Sequence, residues 1–326
     1  MIDRVDAAQL TSRRARRTAE FMHRRLRPRM TGERGIDERA IHRLANLERL
    51  AALAPVPRGV RLRRAQFDGF RGEWVTAPRV RTDGRAVLYF HGGGFICCGL
   101  ATHRRLVAQI SAAARMPVLS VAYRQLPDVP VSGSIADCVT AYRLLLARGH
   151  APEDVVIAGD SAGGFLAFAA TLRAVEHGLP KPAAVVGLSP WLDLECTAKI
   201  AHVNASLDPF IVADELAKLA ALAVEGAVPP DPALSPLTSD LSLLPPALIQ
   251  CGSIEVLRCD AERMAEAMER AGVPCRLQIW EGQIHVFQAF SALIPEARPA
   301  IAQVGAFIQE MTSSQVGRPA EPRRPA

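Results

Sequence analysis

A chain of 326 residues, 49% hydrophobic and 22% charged, has enough apolar material for one large domain, or a domain with a cap, and is no disordered polymer. No run approaches the roughly 18 consecutive apolar residues of a membrane-spanning helix, and the first residues lack the apolar core of a secretory signal, so a cytoplasmic location is expected. The net charge of +6 sits wholly in residues 1–30, where nine arginines face Asp3, Asp6 and Glu20.

That stretch has no aromatic interleaving and belongs to no nucleic-acid module, so it reads as the solvated face of a helix and no nucleic-acid partner is expected. Contact with an anionic membrane surface is the alternative reading. The seven cysteines (97, 98, 138, 196, 251, 259 and 275) include no C-x-x-C pair. They read as reduced thiols, with no disulfide framework and no metal site.

In chain order, residues 6–26 carry Ala8, Leu10, Ala15, Ala19, Met22 and Leu26 at loosely helical spacing. Residues 36–51 repeat the pattern more clearly with Ile36, Ala40, Ile41, Leu44, Leu47 and Ala51. Arg58 to Ala77 alternates as strands do, with a turn at Gly69 to Gly72. From residue 85 strands (85–90, 117–123, 154–158, 183–189) alternate with helices (101–115, 134–148 and one beginning at 165). After Pro190 the rhythm breaks into a proline-rich excursion with a helix near 213–224. It then resumes with strand 247–251, helix 260–271, strand 275–280 and helix 297–311. Repeated βαβ units imply an α/β fold with a mostly parallel sheet and helices on both faces. The expected organisation is an N-terminal helical segment at 1–54, a core at 55–190 and 245–312, an insertion at 191–244 too long for a simple crossover, and a disordered tail at 313–326.

One stretch organises the rest. Gly159-Asp160-Ser161-Ala162-Gly163-Gly164 lies between the strand at 154–158 and a helix. Strand, G-x-S-x-G, helix is the context of a nucleophile elbow, whose tight turn leaves no room for side chains at the glycines and presents the serine hydroxyl. The motif alone can arise by chance, and its partners give it meaning. His91-Gly92-Gly93-Gly94-Phe95 follows the strand at 85–90. Its bare amides could stabilise a developing oxyanion, with His91 bracing the loop. Glu255 and His285 each follow a later strand, at the sheet edge where open α/β sheets build their sites. The order Ser161, Glu255, His285 is that of a triad, with His285 as base and Glu255 orienting it. Asp260 is the rival acid but fits better as a helix N-terminal residue. Asp160, beside the serine, cannot easily reach behind the histidine and is read as turn support with Gly92. His23, His42, His103, His150 and His177 fall in predicted helices or at their ends and are expected at the surface. His202 lies in the insertion, and nothing selects it.

Together these residues resemble the bacterial hormone-sensitive-lipase-like esterases of the α/β-hydrolase fold. The likeness runs from about Val87 to Ile308. It rests on HGGGF at 91–95, Tyr123-Arg124, GDSAGG at 159–164, Leu188 to Asp193, Asp208-Pro209, Leu234 to Leu237, Leu244 to Pro246, Gly252 to Leu257 and His285 to Phe287. The resemblance implies Ser161 as nucleophile, Glu255 as acid, His285 as base, and the amides of Gly93, Gly94 and Ala162 as oxyanion hole. It also implies a helical cap, built from the N-terminal helices and the 191–244 insertion; serine chemistry of this kind is expected to need no cofactor or metal. Two departures stand out: Glu255 occupies a position where many members have aspartate, and Gln125 to Pro130 differs from the usual alanine-proline-glutamate version.

The expected activity is hydrolysis of small-molecule esters with short to medium acyl chains. A lipase working at a lipid surface and a non-catalytic binding protein on the same fold are the alternatives. The oligomeric state stays open, a dimer among the options.

Overall fold

The computed structural model describes residues 11–30, 38–224 and 235–313. The expectations for residues 6–10, Ile36, Leu234 and the rest of 225–234, and the tail beyond residue 313 lie outside the described residues, as do the side chains of Ala40, Ile41 and His42.

Among the described residues eight strands form one sheet. They are β1 Arg61–Gln66, β2 Arg71–Thr76, β3 Ala86–Phe90, β4 Val118–Ala122, β5 Val155–Asp160, β6 Ala184–Leu188, β7 Ala247–Gly252 and β8 Cys275–Trp280. Their spatial order is β1-β2-β4-β3-β5-β6-β7-β8. Strand β2 runs antiparallel to both neighbours, and every other pair is parallel. The composition explains the layout. Strands β3, β5, β6 and β7 are buried along their whole length, as a parallel sheet covered on both faces requires. Strand β1 (RLRRAQ) is mostly exposed, and its arginines blunt the sheet's edge.

The helices are α1 Arg13–Arg25, α2 Arg27–Met30, α3 Glu38–Ala51, α4 Leu100–Ala114, α5 Val131–Ala147, α6 Ala162–Glu176, α7 Thr197–Ala201, α8 Asn204–Leu207, α9 Ala213–Ala223, α10 Arg258–Arg270 and α11 Ala297–Ser313. None is long and apolar enough to cross a membrane. Alternation along β3 divides the core. Ala86, Leu88 and Phe90 join the cluster that includes α5, α6 and α10, while Val87 and Tyr89 join the one formed with α4 and α11.

The outlying helices are tied down by specific polar contacts. Ser12 caps α1 by accepting from Ala15 N, and its own N–H and hydroxyl bond to Glu296. Ala15 and Met22 bury the inner face of α1 against Trp280, Ile284 and Phe287. On the outer face Phe21 is 60% exposed, and helical spacing puts it on one stripe with Arg14, Arg17 and Arg25. Glu48 of α3 accepts from Ala101 N and Thr102 N, supplying the start of α4 with the anion that its free amides favour.

Candidate active site

The serine elbow forms where β5 runs into α6. Ser161 has φ 53° and ψ −122°, a strained positive-φ conformation that a non-glycine residue adopts only when its surroundings impose it. The surroundings here are backbone. A Cβ on Gly159 would lie 2.1 Å from Gly163 O, and one on Gly163 would lie 2.1 Å from Phe90 O. Glycine at both positions lets β3, β5 and α6 approach that closely, and Ser161 N bonds Leu188 O at 2.9 Å.

Ser161 Oγ lies 2.9 Å from His285 Nε2. His285 Nδ1 lies 2.6 Å from Glu255 Oε2. Both side chains are buried. With Glu255 ionised, Nδ1 carries the proton and donates, which leaves Nε2 to accept from the serine hydroxyl. Burial alone would lower the histidine's pKa; the hydrogen bond and charge of Glu255 override it and raise it above the usual value. The ring of Phe210 stacks on His285 at 6.0 Å.

Glu255 is fixed by its second oxygen, which accepts from Ser189 Oγ at 2.7 Å and Gly252 N at 2.5 Å. Ser189 Oγ in turn accepts from Val286 N at 3.0 Å, so one hydroxyl joins the loops of the carboxylate and the imidazole. The longer carboxylate at the position where aspartate is common therefore reaches the histidine. From α8, Asn204 Nδ2 donates to Ser253 O at 2.8 Å and to Glu255 O at 2.9 Å. Asp208 is fully buried and accepts from Phe210 N, Ile211 N and Val256 N, each at 2.8 Å; burial pushes its pKa up to about 6. The guanidinium of Arg27 holds the carbonyls of Ala205, Asp208 and Ile211.

The glycine turn sits beside the elbow. Gly93 (φ 123°) and Gly94 (φ 62°) take conformations that side chains disfavour, and Leu219 of α9 lies against Gly94. Among the described residues, no protein acceptor takes a hydrogen bond from the N–H of Gly93, Gly94 or Ala162. His91 stacks on Tyr123 at 4.5 Å, and Tyr123 OH donates to His91 O at 2.7 Å. Burial lowers the His91 pKa to about 4, which keeps it neutral. The departing segment after Tyr123-Arg124 fastens to this turn through Leu126 N to Phe95 O at 2.9 Å and Gln125 Nε2 to Cys98 O at 3.2 Å.

Asp160 points away from His285. It accepts from Tyr89 OH at 2.6 Å and Gly92 N at 3.1 Å, and its other oxygen lies 3.2 Å from His103 Nε2. His103 corrects the expectation of a surface histidine: its side chain is only 11% exposed, because it projects from the first turn of α4 toward the buried end of β5. Spacing alone gave no sign of that partner. His150 is half-buried beside Trp74, while His23 and His177 are exposed. His202 Nδ1 accepts from Asn204 N at 3.1 Å. Asp260 is the third residue of α10, but it serves more than the helix end. It is fully buried, accepts from Leu192 N and Asp193 N, and pairs with Lys199. No signal in the sequence marks Asn204, Ser189 or Lys199 as site residues. Only the Leu188 to Asp193 and Asp208-Pro209 motifs marked the neighbourhood.

Known proteins share this arrangement of strands. A family model described as the alpha/beta hydrolase fold matches residues 87–289. Over 248 residues the chain is 41% identical to the carboxylesterase/phospholipase LipF of Mycobacterium tuberculosis, covering 73% of this chain and 66% of that one. Over 240 residues it is 39% identical to an acetyl-hydrolase of Streptomyces hygroscopicus, covering 74% and 80%. A solved esterase from the bacterial hormone-sensitive lipase family superimposes with a TM-score of 0.82 at 35% identity, over 93% of this chain and 100% of that one. The chain belongs to that family of α/β-hydrolase-fold esterases. The matched stretch takes in β3 through the loop of His285, so Ser161, Glu255 and His285 all lie within it. Helices α1 to α3 and strands β1 and β2 precede the stretch matched by the family model.

Proposed function

We propose that the protein hydrolyses carboxylic esters with short to medium acyl chains through a covalent acyl-enzyme on Ser161. The observation that carries this reading is the chain of contacts from Ser161 Oγ to His285 Nε2 at 2.9 Å and from His285 Nδ1 to Glu255 Oε2 at 2.6 Å. As Ser161 Oγ attacks the carbonyl carbon, His285 takes the hydroxyl proton, and the buried Glu255 carboxylate stabilises the imidazolium. The tetrahedral oxyanion accepts from the N–H groups of Gly93, Gly94 and Ala162, helped by the positive end of α6. Collapse expels the alcohol, protonated by His285, and a water activated by His285 then releases the acid. His91, Gly92 and Asp160 hold the turn that aims the amides. Helices α1 to α3 and the 191–244 segment act as the cap over the acyl site, a reading supported by the contact of Leu219 with Gly94.

The test is Ser161→Ala assayed on a panel of chromogenic acyl esters, with folding checked by circular dichroism. Hydrolysis should fall by roughly 10⁶-fold; a folded variant that retains it defeats the assignment. Stoichiometric ligand binding with no acylation burst from an activated ester would instead favour a non-catalytic binding protein.

A lipase acting at a lipid surface is the second reading, favoured by Phe21 standing 60% exposed beside the arginines of α1. Activity on emulsified esters that exceeds activity on soluble ones, and drops with Phe21→Ala, would support it.

A further inference from the structure

Two adjacent thiols follow the glycine turn, and the proposed reaction uses neither. Cys97 Sγ donates to Gly93 O at 3.2 Å, and Cys97 N bonds the same carbonyl at 3.1 Å. The two backbones are in direct contact, since a Cβ on Gly93 would lie 2.1 Å from Cys97 O. Cys98 Sγ is 3.7 Å from Cys97 Sγ. Both residues are partly exposed, whereas Cys138, Cys196, Cys251 and Cys275 are buried. Cys259, also partly exposed, has its pKa raised by burial.

The surroundings favour a thiolate at Cys98. Burial opposes protonation of His103, but Asp160 outweighs it and holds the imidazole charged, with a pKa of about 9. The Cys97 S–H, shared between Gly93 O and Cys98 Sγ, and then the His103 charge working against burial, lower the Cys98 thiol to about 7. The other ionisable groups around it are Asp160, which opposes the shift, the neutral His91, the buried Tyr123, and Glu48 of α3, which accepts from the first amides of α4.

We infer that Cys98 is a modification site for hydroperoxides and soft electrophiles, and that its oxidation closes a Cys97–Cys98 disulfide that disables the Gly93 turn. In the first step the Cys98 thiolate attacks the peroxide oxygen. The O–O bond breaks, the leaving alkoxide or hydroxide takes a proton from the medium, and Cys98 becomes a sulfenic acid. In the second step Cys97 sulfur attacks Cys98 sulfur, the S–O bond breaks, the hydroxyl leaves as water with the proton given up by the Cys97 thiol, and the pair has lost two electrons to the peroxide. Closing the sulfurs from 3.7 Å to about 2.05 Å pulls Cys97 Sγ off Gly93 O. Neighbouring Cα atoms are about 3.8 Å apart, below the 4.4–6.8 Å of relaxed disulfides, so the bond is strained and thiols reverse it readily. The consequence for turnover rests on the oxyanion role proposed for Gly93.

The test treats the full chain with hydrogen peroxide, blocks free thiols, and maps peptides by mass spectrometry while following p-nitrophenyl acetate hydrolysis. The Cys97–Cys98 peptide should lose two hydrogens before any other cysteine reacts. Hydrolysis should fall by about 10²-fold, the scale of one lost oxyanion donor, and dithiothreitol should restore it. Cys98→Ser should keep the basal rate and abolish both the link and the peroxide sensitivity. The inference is overturned if Cys259 reacts while the pair stays reduced, if the linked form hydrolyses at the full rate, or if Cys98→Ser stays as sensitive as the parent. Untreated protein with no hydrolysis defeats the esterase reading instead, and the peptide map alone then decides the modification site.

Discussion

Lys199 Nζ lies 2.8 Å from Asp260 Oδ1, and both side chains are fully buried. The pair joins α7, in the segment inserted after β6, to α10 in the core. The other oxygen of Asp260 takes the amides of Leu192 and Asp193. Lys199→Met would leave the Asp260 carboxylate buried without its cation, at a cost of about 3–5 kcal/mol. The urea unfolding midpoint should drop accordingly. A midpoint unchanged from the parent would mean that the pair contributes nothing.

The same contacts separate two acids that the sequence leaves in competition. Glu255→Ala should lower kcat by roughly 10⁴-fold with modest loss of stability, since Glu255 is the carboxylate on His285. Asp260→Ala should act the other way, unfolding at lower urea and losing far less of kcat per folded molecule. Steady-state assays at a temperature where circular dichroism shows both variants folded make the comparison. The reverse ranking would transfer the acid role to Asp260.

The pH dependence should follow His285. In the proposed role of base it works only when neutral, and Glu255 raises its pKa above the usual value. The rate constant kcat/KM should therefore fall as pH drops through that raised pKa. Glu255→Gln removes the stabilising charge and leaves burial to favour the neutral ring. The acid limb should then move to lower pH while the plateau rate falls. An acid limb that does not move would disconnect Glu255 from the titrating group.

A second histidine should govern stability rather than rate. His103 has a folded pKa of about 9 against an unfolded value near 6.5. The native state thus binds the proton more tightly. The stabilisation is complete below about pH 6.5 and is lost as pH rises toward 9, with a full size on the order of 3 kcal/mol. In thermal melts at pH 6, 7.5 and 9, the gap in Tm between the parent and His103→Gln should narrow steadily. A gap that stays constant with pH would contradict the ion pair with Asp160.

Periodicity made the sheet legible, because each buried strand is a short apolar run and the long core helices carry an apolar stripe. The tight turns at Gly159 to Gly163 and Gly92 to Gly94 were legible for a related reason: close backbone approach demands glycine at fixed spacing. The buried polar contacts were not. His103 looks like any histidine in an amphipathic helix until Asp160 is placed 3.2 Å away across the sheet edge. Asp260 has the look of a helix-start acid, and its partner Lys199 lies in α7, a helix of five residues too short to show a period. Ser189 and Asn204 act on loops far from them in sequence, and such pairings carry no local signature.

Asn204 fastens the carbonyls of Ser253 and Glu255 to α8, and Arg27 of α2 grips three carbonyls of that same segment. The helices proposed as a cap are therefore not an interchangeable module. Grafting the 191–244 segment from a relative to alter acyl preference would also re-seat the loop that carries Glu255, so selectivity and turnover would change together. A graft that retained Asn204 and Arg27 would let the two be tuned apart.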